Sequence, residues 1–321
     1  MPIAEIKPEQ LDARAFIEMK VKEIRAEVGD GLAINALSGG VDSSVVTLLG
    51  HRALGDRFRT IFVENGLMRA GEPEYVVSVF RKLGVNVELI DARDVFFSEL
   101  AGLTDPEEKR NAITRAFYKK VFGDLVRRSR ARFLFHGTNL TDVEETVAGV
   151  KRQHNILTQL GIDPEKEYGY KVIEPLLPLR KTAVRMVGKA LGLPEEIYAR
   201  PPFPGPALAA RVIGEVTRER VETVRRATAL VEEAFKSTGA FQYLAVLHQD
   251  MATGVRGGKR DFGMQIEVRC WDSKDAVIAS PTRVSIDVLE AMARRITNEV
   301  PGVVSVTYNV TPKPPSTIEA I

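Results

Sequence analysis

The chain has 321 residues, of which 44% are hydrophobic and 27% charged, a composition typical of a folded protein with about two domains. The 45 basic and 43 acidic residues nearly balance, so no excess of positive charge indicates nucleic-acid binding. A single cysteine, Cys270, excludes a disulfide framework. No apolar run reaches the roughly 20 residues of a membrane span, and the N-terminus is too charged for a signal peptide. We therefore expect a cytoplasmic protein that binds neither membranes nor nucleic acids.

The first half of the chain alternates strand-like and helix-like segments. Short apolar or β-branched runs predict strands at residues 32–37, 59–63, 85–90, 132–135 and 171–173. Helical spacing of apolar residues predicts helices at 42–54, 74–83 and 106–128, with another beginning near Lys181. Because helix-length segments separate the strands, we expect an α/β domain with a parallel sheet covered on both faces.

Residues 139–170 break this alternation. They are polar, lack a clear period and predict a lid or insertion. Four prolines within 200–206 exclude a helix or an inner strand there. We place the domain boundary just before them, which divides the chain into 1–198 and 199–321.

The second domain follows a different order of elements. Its predicted order is a helix at 218–236, a strand at 242–248, a glycine-rich loop at 254–260, a strand at 264–271, a helix at 283–298 and a strand at 303–310. This order is typical of a small α+β domain with an open sheet and helices on one face.

The sequence from Ser38 to Ser44, Ser-Gly-Gly-Val-Asp-Ser-Ser, lies between the first predicted strand and the first helix. Its two glycines allow the backbone to approach a phosphate, and the helix that follows offers free N–H groups and its positive end. Three serine hydroxyls add donors. We assign Asp42 a structural role, either capping the helix or orienting the donors. The motif favours a phosphate-binding loop over a plain glycine-containing turn, although no Gly-Lys-Ser/Thr follows as in a Walker A loop.

This loop resembles the pyrophosphatase loop of enzymes that cleave ATP between its α- and β-phosphates. Further segments resemble GMP synthetase, in that family's order, from about residue 20 to the C-terminus. They are residues 62–69, 101–110, 172–176, 191–196, 203–209, 298–303 and 313–319. The resemblance implies a PP-loop ATP pyrophosphatase domain, of the adenine-nucleotide alpha-hydrolase-like class, followed by a small α+β dimerisation domain.

The resemblance also implies a reaction. The family uses ATP and Mg²⁺ to adenylate O2 of xanthosine monophosphate (XMP), and ammonia then displaces AMP to give GMP. Such an enzyme is a carbon–nitrogen ligase that forms AMP and pyrophosphate, and it dimerises through its C-terminal domain. Cys270 lacks the glycine-flanked elbow of an amidotransferase nucleophile. We therefore expect the two-subunit type, which receives ammonia from a separate glutamine amidotransferase.

Site residues follow from the resemblance, position by position. In the first domain, Ser38, Gly39, Gly40, Val41, Asp42, Ser43 and Ser44 would hold pyrophosphate, and Val63 would flank the adenine. The implied catalytic set is Asp42, Asp142, Glu145, Lys151, His154 and Lys181, with Asp142 and Glu145 as Mg²⁺ ligands. In the second domain, the implied XMP-binding residues are Pro204, Gly205, Pro206, Arg211, Gln242, Lys313, Thr317, Ile318 and Glu319.

Several stretches depart from the family pattern. Gln153 stands where the family has a histidine, Glu64 where it has aspartate, and residues 248–262 keep little of the usual loop. Two alternatives therefore stay open. One is a PP-loop paralogue that adenylates a different purine or a tRNA base, although a single strand-borne cysteine and the balanced charge argue against tRNA sulfur transfer. The other is a non-catalytic nucleotide-binding regulator.

Overall fold

The computed structural model describes residues 3–147, 170–201, 203–274 and 276–320. The chain forms two compact units that are discontinuous in sequence. The first comprises Met1–Glu64, Glu72–Ala92 and Thr114–Arg200, and the second comprises Asn65–Gly71, Arg93–Ile113 and Pro201–Ile321. The chain thus passes between the units near the proposed boundary and also at two earlier excursions. None of the described helices is long and apolar enough to cross a membrane.

The first unit contains a five-stranded sheet in the order β3-β2-β1-β4-β5, and every pairing is parallel. Its strands are β1 (Ala33–Ala36), β2 (Phe58–Glu64), β3 (Val87–Asp91), β4 (Phe133–Phe135) and β5 (Lys171–Ile173). Each lies where the sequence predicted a strand. The two central strands β1 and β2 are buried along most of their length, as expected for parallel strands covered on both faces.

The helices follow the predicted order with additions. Their bounds are α1 (Ala13–Val28), α2 (Val41–Leu54), α3 (Glu72–Lys82), α4 (Arg93–Leu100), α5 (Pro106–Arg115), α6 (Gly123–Ser129), α7 (Leu140–Val147), α8 (Lys181–Leu191), α9 (Glu195–Tyr198), α10 (Arg218–Phe235) and α11 (Ile286–Glu299). A π-helical stretch, Ala116–Phe122, joins α5 to α6, so the long helix predicted at 106–128 is helical with a change of hydrogen-bond pattern.

Helix α1 was missed from the sequence although its start is marked. The side chain of Asp12 accepts hydrogen bonds from the backbone N–H groups of Arg14 and Ala15, which is the usual role of an aspartate at a helix N-cap. Four apolar residues then face the core, namely Phe16, Ile17, Ile24 and Val28.

The second unit contains a four-stranded sheet around one long strand. Its strands are β6 (Gln242–Arg256), β7 (Lys259–Ser273), β8 (Ala279–Pro281) and β9 (Val303–Tyr308). Strand β7 pairs antiparallel with β6 and β8 and parallel with β9. The α+β class is therefore confirmed.

The predicted glycine-rich loop at 254–260 is wrong in extent. Strands β6 and β7 continue through this region and leave only Gly257 and Gly258 between them. Both glycines have positive φ, 58° and 74°, which is the conformation that a two-residue hairpin turn requires. The residues that depart from the family pattern thus lie on a long hairpin rather than in an open loop.

Candidate active site

The phosphate loop lies at the carboxyl end of β1, where the order of the sheet reverses between β1 and β4. In open α/β sheets this switch point is the usual place of a ligand. Gly39 has a φ of 78°, and a Cβ built on it would lie 3.0 Å from Cγ2 of Val76. Both the backbone conformation and the space therefore require glycine at this position.

The serines hold the loop in shape. The Ser43 hydroxyl accepts a hydrogen bond from the Ser38 N–H at 3.1 Å and donates to the Gly40 carbonyl at 3.0 Å. Its oxygen also lies 2.9 Å from the Ser38 hydroxyl oxygen. Ser44 is fully buried, and its hydroxyl has no partner among the described residues. Ser43 thus braces the loop so that the first turn of α2 is preformed.

Asp42 pairs with a cation rather than capping the helix. The N-cap of α2 is Gly40, and no side chain caps it, so the capping role considered for Asp42 is wrong. One Asp42 carboxylate oxygen instead binds Nζ of Lys181, the first residue of α8. The other, Oδ1, is buried without a partner in the described part of the chain. Burial raises the pKa of the Asp42 carboxyl, and the ion pair with Lys181 opposes that shift.

Asp142 stands beside this pair because α7 begins there. The Asn139 side chain accepts hydrogen bonds from the N–H groups of Thr141 and Asp142, while the Asp142 carboxylate accepts the N–H of Asn139. This reciprocal cap sets the first turn of α7. Asp142 lies near enough to Asp42 for its charge to raise the Asp42 pKa further. The structure therefore brings Asp42, Asp142 and Lys181 together.

Gly137 makes this approach of two elements feasible. A Cβ at that position would lie 3.0 Å from Cβ of Asp42 and 3.1 Å from the Ser43 nitrogen. The end of β4 therefore packs directly on the first turn of α2. Sequence analysis missed Gly137, although a glycine just after a predicted strand is a signal of close backbone approach.

The carboxylates suit magnesium that arrives with a nucleotide. Among the described residues, no group of three or more His, Cys, Asp or Glu side chains could hold a metal ion. Mg²⁺ bound to substrate phosphates needs only one or two protein carboxylates, and the unpartnered Asp42 Oδ1 beside Asp142 fits that requirement. Glu145 belongs to α7, but its side chain is outside the described part. Lys151 and His154 also lie outside the described residues.

A buried ion pair supports the loop from behind. Glu72, only 5% exposed, accepts a hydrogen bond from Nη1 of Arg200 at 2.5 Å. Its carboxylate oxygen lies 3.6 Å from the point that a Gly39 Cβ would occupy. Sequence analysis did not select either residue, because charged residues are usually exposed. Val63, the predicted adenine neighbour, is buried near the carboxyl end of β2, and its role stays a prediction.

In the second unit, three predicted residues converge, with Arg211 and Gln242 both meeting Glu319. Nε and Nη2 of Arg211 donate to its carboxylate at 3.2 and 3.1 Å, and the Gln242 amide donates at 2.5 Å. Arg211 is 1% exposed, and its Nη1 has no partner among the described residues. A buried guanidinium with a spare donor is suited to bind an oxygen of a ligand.

The other predicted residues of this unit lie around that cluster or apart from it. Thr317 donates its hydroxyl to the Glu319 carbonyl at 2.6 Å, and Ile318 is buried in the core. Lys313 lies elsewhere, with Nζ on the Ala276 carbonyl at 2.7 Å. The predicted set at 204–206 forms a turn closed by a hydrogen bond from the Ala207 N–H to the Pro204 carbonyl.

Next to this turn, an aromatic ring lies close to two arginines. The guanidinium carbons of Arg69 and Arg211 lie 4.0 and 4.9 Å from the centroid of the Phe203 ring. Such contacts hold planar cations by cation–π attraction. Arg69 and Phe203 were not selected from the sequence, although both belong to segments that carry the family resemblance.

Two family models match the chain. That of NAD synthase matches residues 10–206, more than half of the chain, and includes the phosphate loop and the parallel sheet. That of the GMP synthase C terminal domain matches residues 230–320, which include β6 to β9 and the tail. Fold and loop thus define a PP-loop nucleotide-binding protein of the α/β class with a GMP synthase-like C-terminal domain.

Curated relatives match over nearly the whole chain, and three archaeal proteins each carry the name of the same subunit, the second, of a glutamine-hydrolyzing GMP synthase. The protein of Thermococcus kodakarensis is 50% identical over 307 residues, covering 95% of this chain and 98% of the relative. That of Pyrococcus furiosus is 48% identical over 307 residues, covering 95% and 96%. That of Archaeoglobus fulgidus is 47% identical over 309 residues, covering 96% and 99%. The chain belongs to this family of GMP synthase subunits, which confirms the resemblance inferred from the sequence.

Proposed function

We propose that the chain converts XMP to GMP with ATP and ammonia, through an adenyl-XMP intermediate and with release of AMP and pyrophosphate. The observation that carries this proposal is the preformed phosphate loop with Lys181 and Asp42 beside it. Adenylation requires stabilisation of the charge that develops on the leaving pyrophosphate, and preorganised N–H groups with a fixed cation supply it. The names of the relatives support the same reaction.

Each residue of the first site has a role in this reaction. The loop at 38–44 binds the β- and γ-phosphates through backbone N–H groups. Asp42 holds the ammonium group of Lys181 in place, since their charges pair at the loop. Mg²⁺, when bound with ATP, neutralises phosphate charge, and Asp42 Oδ1 with Asp142 would hold it.

The second site recognises XMP. Glu319 and Gln242 offer an acceptor and an amide for the polar edge of a purine, and Arg211 Nη1 offers a buried donor for an oxygen of the nucleotide. Nothing in this reaction requires a covalent protein nucleophile. The protein positions both nucleotides and limits the access of water, which would only return the substrate.

Ammonia comes from a separate amidotransferase, and the enzyme acts in the cytoplasm as a homodimer through its C-terminal domain. The relatives are named as subunits of glutamine-hydrolyzing enzymes, which supports a separate partner chain. Cys270 is buried on β7, and burial raises the pKa of its thiol, which is the opposite of an activated nucleophile. The hairpin of β6 and β7 exposes Met251, Val255 and Phe262, apolar side chains that suit a contact between protomers.

The test is product analysis with purified protein, Mg·ATP, XMP and ammonium at high pH. We expect AMP, pyrophosphate and GMP, no ADP, and no turnover with glutamine alone. Lys181→Ala should lower kcat by roughly 100-fold, because one fixed donor of charge stabilisation is lost. ADP as the product would refute the reaction class. Binding of Mg·ATP without XMP-dependent release of AMP would instead support the paralogue or the regulator.

A further inference from the structure

One face of β7 is turned towards the C-terminal tail. Residues 267, 269 and 271 alternate along the strand and so share a face, and all three are at most 8% exposed. Arg269 donates from Nε to the Glu267 carboxylate at 2.6 Å. From Nη1 it donates to the backbone carbonyls of Thr317 and Glu319, both at 3.0 Å. One guanidinium thus joins the strand to the tail.

The other end of this contact is fixed by Glu267. One of its carboxylate oxygens also accepts from the Asn309 amide at 2.7 Å, and the other lies 2.7 Å from Nε2 of His248. Burial alone would raise the pKa of Glu267, but the hydrogen bonds from Arg269, Asn309 and His248 more than offset it, so the pKa is lowered. The carboxylate is therefore charged at neutral pH and holds the Arg269 guanidinium in one orientation.

We propose that Arg269 is the positioning residue of the nucleotide site in the second unit. By holding the carbonyls on both sides of Ile318, it fixes the direction in which the Glu319 side chain leaves the tail. That direction brings the Glu319 carboxylate to Arg211 and Gln242. The inference rests on the proposed function, since the ligand that this cluster would receive is XMP.

An arginine is needed for this task. The fork of the guanidinium reaches a carboxylate with Nε and two carbonyls with Nη1 in one plane, whereas a lysine offers one nitrogen on a flexible chain. Lysine would keep the charge beside Glu267 but leave tail carbonyls without their donor. The conservative variant therefore separates positioning from charge.

Trp271 gives an independent reading of the tail. It is the only tryptophan of the chain and is fully buried. Its indole N–H donates to the Ile318 carbonyl at 3.2 Å, and Ile318 packs in the same apolar cluster. If the tail leaves its place, the indole gains contact with water. Its emission then shifts to the red, and acrylamide quenches it more strongly.

The experiment compares the full-length protein with Arg269→Lys, Arg269→Ala and the control Arg294→Ala. Arg294 lies on α11 in the same unit, its side chain is 73% exposed, and it forms an ion pair of 3.5 Å with Glu290. For Arg269→Lys we expect a KM for XMP raised roughly tenfold or more, because buried carbonyls lose their donor. The KM for ATP should stay within about twofold, the range left by a site that loses no contact. Trp271 emission should shift to the red without XMP, and Arg294→Ala should match the wild type in every reading.

The outcomes separate the two proposals. If Arg269→Lys keeps wild-type emission, quenching and KM for XMP, Arg269 does not position the tail and the inference is overturned. If Arg269→Ala fails to fold, the folded Arg269→Lys variant decides. If the wild type shows no XMP-dependent AMP release while emission shifts in Arg269→Lys, the tail anchor stands and the proposed reaction fails.

Discussion

The two candidate sites are built in opposite ways. The phosphate loop is local, since Ser38 and Ser43 are five positions apart and their contacts form within one turn. The cluster around Glu319 is assembled from distant parts of the chain, with Gln242 77 positions and Arg211 108 positions away. The first is made mostly of backbone and hydroxyl groups, the second of buried charged side chains. A local site is fixed by a motif, whereas a dispersed site depends on the whole fold of its unit.

The largest expected effect concerns the local site. Gly39→Ala should lower XMP-dependent pyrophosphate release by ~100-fold or more, because a displaced loop misplaces the reacting phosphates. The new Cβ would be strained at positive φ and would meet Val76 at 3.0 Å. The assay is pyrophosphate release at saturating substrates.

Gly84→Ala is the matched control for this change. Gly84 also belongs to the first unit and has a φ of 81°, but no atom lies within 4 Å of the added Cβ. That variant should lose about 1 kcal/mol of stability from backbone strain and keep its activity. Equal activity losses in the two variants would contradict a requirement specific to the loop.

A smaller effect is expected at the dispersed site. Arg211→Lys loses the paired hydrogen bonds to Glu319 and should raise the KM for XMP by roughly tenfold. Binding of Mg·ATP, measured by calorimetry without XMP, should not change. Arg218→Lys, at a side chain that is 54% exposed, serves as the control. Parallel losses of ATP and XMP affinity would show that the two sites are not separable in this way.

The smallest effect concerns a buried cation outside both sites. Lys109 is 1% exposed and donates from Nζ to the Val212 carbonyl at 2.9 Å. Burial lowers its pKa from 10.5 to about 8. Between these values the unfolded chain binds more protons than the folded one, so stability rises as pH increases from about 8 towards 10.5.

Lys109→Met should flatten this dependence. The wild-type Tm should gain roughly 2–4 °C on the variant between pH 7.5 and 9.5, as measured by calorimetry or circular dichroism. Exposed Lys236→Met should keep the wild-type slope. A slope that is the same in wild type and Lys109→Met would show that Lys109 stays charged in its buried position.

This contrast also explains how much the sequence could predict. Alternating apolar segments predicted all five strands of the parallel sheet, and the motif at 38–44 predicted its own geometry. The hairpin at 248–263 was misjudged, because glycines that close a two-residue turn were interpreted as an open loop. Asp42 was expected to cap or orient, and its ion pair with Lys181, 139 positions away, depends on tertiary distance.

Buried charges were the main omission. Glu72, Arg200, Glu267 and Arg269 are individually typical of a surface, and only their partners make burial acceptable. In β7, the alternation of Glu267, Arg269 and Trp271 was a readable signal that one face meets something polar and something apolar. The identity of that partner, the tail, required the fold.

The interleaving of the two units has a consequence for anyone who cuts this gene. The segment at 65–71 is held by Arg225, which donates to the carbonyls of Gly66 and Met68 at 2.6 and 2.8 Å. The segment at 93–113 is held by Lys109 and by Glu215, which accepts the Gly102 N–H. A fragment ending at residue 200 would therefore carry two orphaned pieces of its neighbour. Recombining halves between relatives at that point would exchange only part of the second unit, so chimaeras of this family must swap three stretches together.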